Sequence, residues 1–237
     1  MTEDRNELNE LFENIDINNI DIFEPEVDKD LQIEFIEHLL HRRRTEDDDI
    51  QTHIELLFDE KTGSDKKKDL IVGLVSSDNV QAYRALEKFE LQENDELLKM
   101  WVRLGIHKMR NKFDLLFTDK PKKYLLTSAL GGKGTKLRYF CIFTPEHGIK
   151  FDALKCDIAE KEIIHFFKKY ECDIEQITKD MRFVSFVCLI PINVSVRKLF
   201  GEIISSINQL GNFISDKCLI NNVKRLSKEE IDQFLDS

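Results

Sequence analysis

From Asp30 onward, apolar residues return every three or four positions. Leu31, Phe35, Ile36, Leu39 and Leu40 define one helical face, which ends in His41, Arg42, Arg43 and Arg44, cations suited to a helix C-terminus. The same period predicts helices near 47–59, at 65–75 through Leu70, Ile71, Leu74 and Val75, and beyond an Asp78 or Asn79 cap through Val80, Tyr83, Leu86 and Phe89. The longest stripe follows an Asn94 cap: Leu98, Trp101, Val102, Gly105, Ile106, Met109, Phe113, Leu116 and Phe117. It can bury one side of a helix over about five turns, and it reads as core. Upstream, Leu8, Leu11 and Phe12 predict a short amphipathic helix behind Thr2, and DINNIDIFEPEVD reads as an extended segment whose Ile and Phe need a surface to pack on.

The period changes after Lys120, Pro121, Lys122 and Lys123. YLLTSAL (124–130) and LRYFCIFT (137–144) read as two strands of a hairpin joined by GGKGTK. A helix is expected from Asp157, where Glu160 completes a capping box, then strands at 172–178 and 182–190. A second helix is expected after Asn193 and a strand near 213–220; a final short helix is boxed by Ser227 and Glu230. The order is ββαββαβα. Without its first strand it is βαββαβ, the order of the ferredoxin-like sandwich.

The expected fold class is therefore α+β: an all-helical N-terminal half, then a ferredoxin-like βαββαβ sandwich with an extra N-terminal strand and a C-terminal helix. The expected domains are an acidic arm at 1–28, a helical domain at 29–118 and the α+β domain at 119–237. DLIVGLVSSDNVQAYRALEKF (69–89) resembles one unit of HEAT-type helix pairs in its small turn and apolar spacing, with no clear second copy at a fixed period. The resemblance implies a scaffold that binds a partner.

Charge divides the chain unevenly. Residues 1–60 hold 20 Asp and Glu against 5 Lys and Arg, whereas the rest of the 237 residues carry a net charge of +5. The acidic part can cover a basic surface until a competing polyanion arrives. No apolar run is long enough for a transmembrane helix, and the acidic start predicts no secretory signal, so the expected location is cytoplasmic and no membrane partner is expected. The five cysteines, Cys141, Cys156, Cys172, Cys188 and Cys218, contain no CxxC pair and read as small buried hydrophobes. No metal site and no cofactor are expected: the six histidines include no HExxH, although His38 and His41 lie one helical turn apart.

The most conspicuous candidate is the loop Gly131, Gly132, Lys133, Gly134, Thr135 and Lys136, with Arg138 just beyond it. Glycines let successive backbone N–H groups turn toward an anion, and the cations supply charge. Its spacing is not GxxxxGK[ST], so it is not a P-loop. With Lys122 and Lys123 it belongs to a stretch, 108–138, that holds nine basic residues against Asp114 and Asp119, a net of +7. Arg138, Tyr139, Phe140 and Phe143 resemble part of an RNP1 strand, but the internal glycine is missing and no RNP2 accompanies it. Glu146 and His147 are a candidate acid–base pair beside the loop.

The leading expectation is a non-enzymatic adaptor that binds a protein partner through its helical half. The alternative is a nucleic-acid or ribosome-associated protein using the basic 108–138 surface to hold RNA or another polyanion, with the acidic arm as internal competitor. The third is an enzyme acting on a phosphorylated small molecule at the glycine loop.

Overall fold

A computed structural model of the chain describes residues 20–41, 49–77, 79–117, 124–147 and 149–236. The chain is α+β, with N-terminal helices followed by an antiparallel sheet that carries further helices. It divides into two compact units, Val27–Leu125 and Met1–Glu26 with Leu126–Ser237. The expected helix around Leu8 and the basic run Arg42–Arg44 lie outside the described residues.

In the first unit the helices start where a short polar side chain takes up free N–H groups, except Ser64–Ser76, whose N-cap is Gly63. Asp28 accepts from the Asp30 N–H at 2.8 Å ahead of α1 (Lys29–His41). Asp49 accepts from Gln51 ahead of α2 (Ile50–Phe58), and Asn79 accepts from Gln81 at 2.7 Å ahead of α4 (Val80–Gln92). Between these lies α3 (Ser64–Ser76). The cap of α5 (Glu96–Phe117) is Asp95, accepting from Leu97 at 2.8 Å, one residue beyond the expected Asn94. The reason is local: the Glu93 carboxylate takes the N–H groups of both Asn94 and Asp95, which leaves the Asp95 side chain facing the first turn.

Along α5, Leu98, Trp101, Val102, Ile106 and Met109 are buried as the stripe predicts. Gly105 belongs to the stripe because a Cβ there would collide with a Val75 methyl. Burial stops short of the stripe's end, since Leu116 keeps 59% of its surface exposed. Trp101 meets Phe35 edge-on at 5.4 Å, joining α1 to α5.

The second unit departs from expectation at its entry. YLL does not pair with the long strand that follows it; β2 (Tyr124–Leu126) pairs instead with β1 (Ile20–Ile22). The hairpin shrinks to β3 (Gly132–Lys133) against the start of β4 (Lys136–Pro145), with Lys133 opposite Lys136. Gly134 and Thr135 form the two-residue turn. Gly134 sits at φ +59, which matches the turn type that demands glycine at its first central position.

Beyond the hairpin the order is β4, α6 (Ala153–Lys169), β5 (Asp173–Lys179), β6 (Val184–Pro191), α7 (Val196–Gln209), β7 (Ile214–Asn221) and α8 (Lys228–Asp236). All pairings are antiparallel, and the strands lie side by side as β5-β6-β4-β7, with β3 sharing the β7 edge of β4. β6 reads as an apolar run broken only by Ser185 because it is central and buried on both faces. One face packs Phe143, Phe186 and Cys188 against Ile163 and Phe167 of α6 and Leu199, Phe200 and Ile203 of α7. The other packs Phe140, Ile142 and Val187 against Ile231 of α8.

Helix α6 begins one turn before the expected Asp157, capped by Asp152, whose carboxylate accepts from the Lys155 N–H at 2.8 Å. Asp157 and Glu160 instead hold the Lys179 ammonium at 2.9 and 2.5 Å. The Ser227–Glu230 box forms as read: the Ser227 N–H donates to the Glu230 carboxylate at 2.9 Å, and the Glu230 N–H donates to the Ser227 hydroxyl at 3.3 Å.

Candidate functional site

Alternation along β4 puts Lys136 and Arg138 on the same sheet face as Phe140 and Ile142, the face that α8 partly covers. At this end of the strand the segment just before the helical unit lies across the glycines. Ile22 and Phe23 are buried, and the Phe23 N–H donates to the Leu126 carbonyl at 3.0 Å. The Gly132 N–H donates to the backbone carbonyl of Glu24 at 3.1 Å. A Cβ at Gly131, which sits at φ +67, would strike the carbonyls of Glu24 and Pro25. A Cβ at Gly132 would strike the Lys136 carbonyl.

Gly131 and Gly132 therefore serve the close approach of the protein's own chain. Their amides are used internally, since the Gly131 N–H donates to the Ser128 carbonyl at 3.0 Å. The Gly134 amide alone of the three meets an anion, and that anion is the Glu24 carboxylate, at 2.9 Å. Lys133, Gly134 and Thr135 form the exposed tip.

Carboxylates also meet the cations here. Arg138 forks onto Glu175 through Nε at 2.6 Å and Nη2 at 2.9 Å, and its Nη1 donates to the Leu130 carbonyl at 2.7 Å. Glu26 lies 3.9 Å from Arg138 and pairs with Arg225 through the same oxygen. Lys136 reaches Asp173 at 2.7 Å. The fork holds the Glu175 carboxyl below its usual range and raises the Arg138 guanidinium, each by hydrogen bonding to the charged form of the other. Lys122 and Lys123, the remaining candidates, lie outside the described residues.

Other candidates separate from this cluster. Glu146 and His147 lie at the far end of β4, about 30 Å from the hairpin at about 3.3 Å per residue, so they are not beside the glycines. Phe140 and Phe143 are buried and offer no ring face to a base. Burial pushes the thiols of Cys141, Cys156, Cys172 and Cys218 up, Cys172 to about 12, so these four remain protonated. The Sγ atoms of Cys141 and Cys188 stand 3.9 Å apart in the core. His38 faces Asp69 at 3.4 Å, while His41 contacts its own helix backbone at 2.8 Å. Among the described residues no three His, Cys, Asp or Glu side chains are grouped to hold a metal ion. No described helix is long and apolar enough to cross a membrane.

No family model and no curated protein matches the chain. Among solved structures it is similar to a proposed transposase from Deinococcus radiodurans R1, at 12% identity and a TM-score of 0.36, over 44% of this chain and 92% of that one. It is also similar to a REP-associated tyrosine transposase bound to a REP hairpin, at 9% identity and a TM-score of 0.32, over 42% of this chain and 62% of that one. The expectation of a non-enzymatic adaptor is not supported by these comparisons: both structures found are described as transposases.

Proposed function

We propose that the C-terminal unit is a ferredoxin-like βαββαβ module that binds nucleic acid at its hairpin end, through Lys133, Gly134, Lys136, Arg138 and Arg225. The observation that carries this reading is the Glu24 carboxylate on the Gly134 amide, beside an Arg138 already forked on a second carboxylate. The turn accepts an anion, and its present anion is internal. A phosphate offers the same hydrogen-bonding oxygens with more charge, and a polyanion releases its counterions on binding. Exchange requires that Glu24 and Glu26 rotate away and that Arg138 and Lys136 turn from Glu175 and Asp173 toward the phosphates, while Ile22 and Phe23 keep the segment anchored in the core. Contacts of this kind are made to backbone phosphates and carry little sequence preference.

The test is fluorescence anisotropy with labelled DNA and RNA oligonucleotides between about 50 and 200 mM salt. Affinity should fall steeply with salt. Glu24→Gln removes the internal competitor and should tighten binding severalfold, whereas Lys133→Glu at the exposed tip should weaken it. Should both variants bind like the parent protein, the hairpin is not the interface; should no oligonucleotide bind at the lowest salt, the nucleic-acid reading fails.

A further inference from the structure

At the other end of β4 the same sheet face opens into a groove of about 480 Å³, beside the last turn of α8. That is the volume range of small-ligand sites. Its floor is apolar, with Pro145 and Leu219 among the residues that line it, and its walls include Met181, 65% exposed, and Phe234, 44% exposed. Thr144 and Ser215 contribute hydroxyls.

Three cations and one carboxylate line it. Arg182 is engaged by Asp232, at 3.3 Å, and by Asp236. Lys150 and Lys217 are exposed, and neither forms an ion pair with another described residue. The carboxylate, Glu146, accepts from the neighbouring His147 N–H at 3.1 Å. The groove thus offers an apolar slot, hydroxyls at its edge and two uncompensated ammonium groups.

We infer that this groove holds one unstacked nucleotide of a single strand, its base against Met181 and the apolar floor and its phosphates between Lys150 and Lys217. The inference rests on the nucleic-acid reading above and adds the form of the ligand. A flat base with apolar faces and polar edges matches the slot and hydroxyls, and the flanking phosphates match the two ammonium groups. A paired base cannot enter without leaving its stack, so the site selects single strands over duplex.

The probes are a labelled single-stranded oligodeoxynucleotide and the blunt duplex of the same sequence, tested against the full chain and its Lys150→Glu/Lys217→Glu double variant. Both lysines are exposed, and the melting temperature of the variant is checked against the parent. The expected result is a loss of at least about tenfold for the single strand with duplex binding changed far less, since two phosphate contacts are removed. Photo-crosslinking with a halogenated pyrimidine in the strand should label the Met181 peptide. Equal losses for both probes, unchanged single-strand binding, or cross-links confined to 131–138 would each overturn the groove. In the last two cases, a binding loss in Lys133→Glu leaves the hairpin reading standing. If the parent protein binds neither probe, the nucleic-acid reading falls and the groove with it.

Discussion

The two ends of β4 lie on one sheet face and treat charge in opposite ways. At the hairpin, Lys136, Arg138 and Arg225 each meet a carboxylate, and a backbone amide meets Glu24. At the groove, Lys150 and Lys217 face solvent, and neither pairs with a carboxylate among the described residues. The difference comes from what lies across each end. The acidic segment covers the hairpin and brings its own anions to it, whereas α8 at the groove gives its carboxylates, Asp232 and Asp236, to Arg182. Local charge density, highest in sequence around 108–138, therefore does not by itself tell a paired cation such as Arg138 from one that faces solvent.

The comparison breaks most severely if the acidic segment is prevented from lying on the glycines. Gly131→Ala combines a left-handed backbone with a collision against the Glu24 and Pro25 carbonyls. It should cost at least about 1–3 kcal/mol, read as a lower midpoint in urea or heat, and it should leave the groove's response to Lys217 substitution intact. Arg138→Met comes next. It strips Glu175 and the Leu130 carbonyl of their donors, at a cost of about 1–2 kcal/mol because both retain some access to water. Chemical denaturation would measure it, and a change near zero would mean the fork contributes no net stability.

The smallest effect expected is that of acid. Glu175 is held below its usual range by Arg138, so its contribution is fully present above the ordinary glutamate pKa and is lost as pH falls through the lowered value. Stability of this end should therefore decline only below about pH 4. Hydrogen exchange at the Gly132 and Gly134 amides, followed against pH, would detect it, and protection unchanged through that range would remove the fork as its cause.

Much of the secondary structure was legible in the chain. The stripe from Leu98 to Met109 and the run VSFVCLI (184–190) carry their own periods, and Asp49, Asn79 and the Ser227–Glu230 box mark where helices start. Other features misread because two similar local signals competed. Asp157 with Glu160 has the form of a capping box, but Asp152 is one turn earlier and takes the role. YLLTSAL has the composition of a strand, but its partner, Ile20–Ile22, lies about a hundred residues away in sequence, a pairing no local pattern encodes.

The glycine loop divides the two kinds of information most clearly. Sequence alone pointed to GGKGTK as a glycine loop between extended segments and a candidate anion site, because φ > 0 and close backbone approach are properties of glycine itself. Tertiary structure decided which anion it meets and which cations stay free. Those outcomes depend on long-range contacts, Glu24 on Gly134 and Glu175 on Arg138, formed only when burial of Ile22, Phe23 and the β6 strand brings distant charges within hydrogen-bonding range.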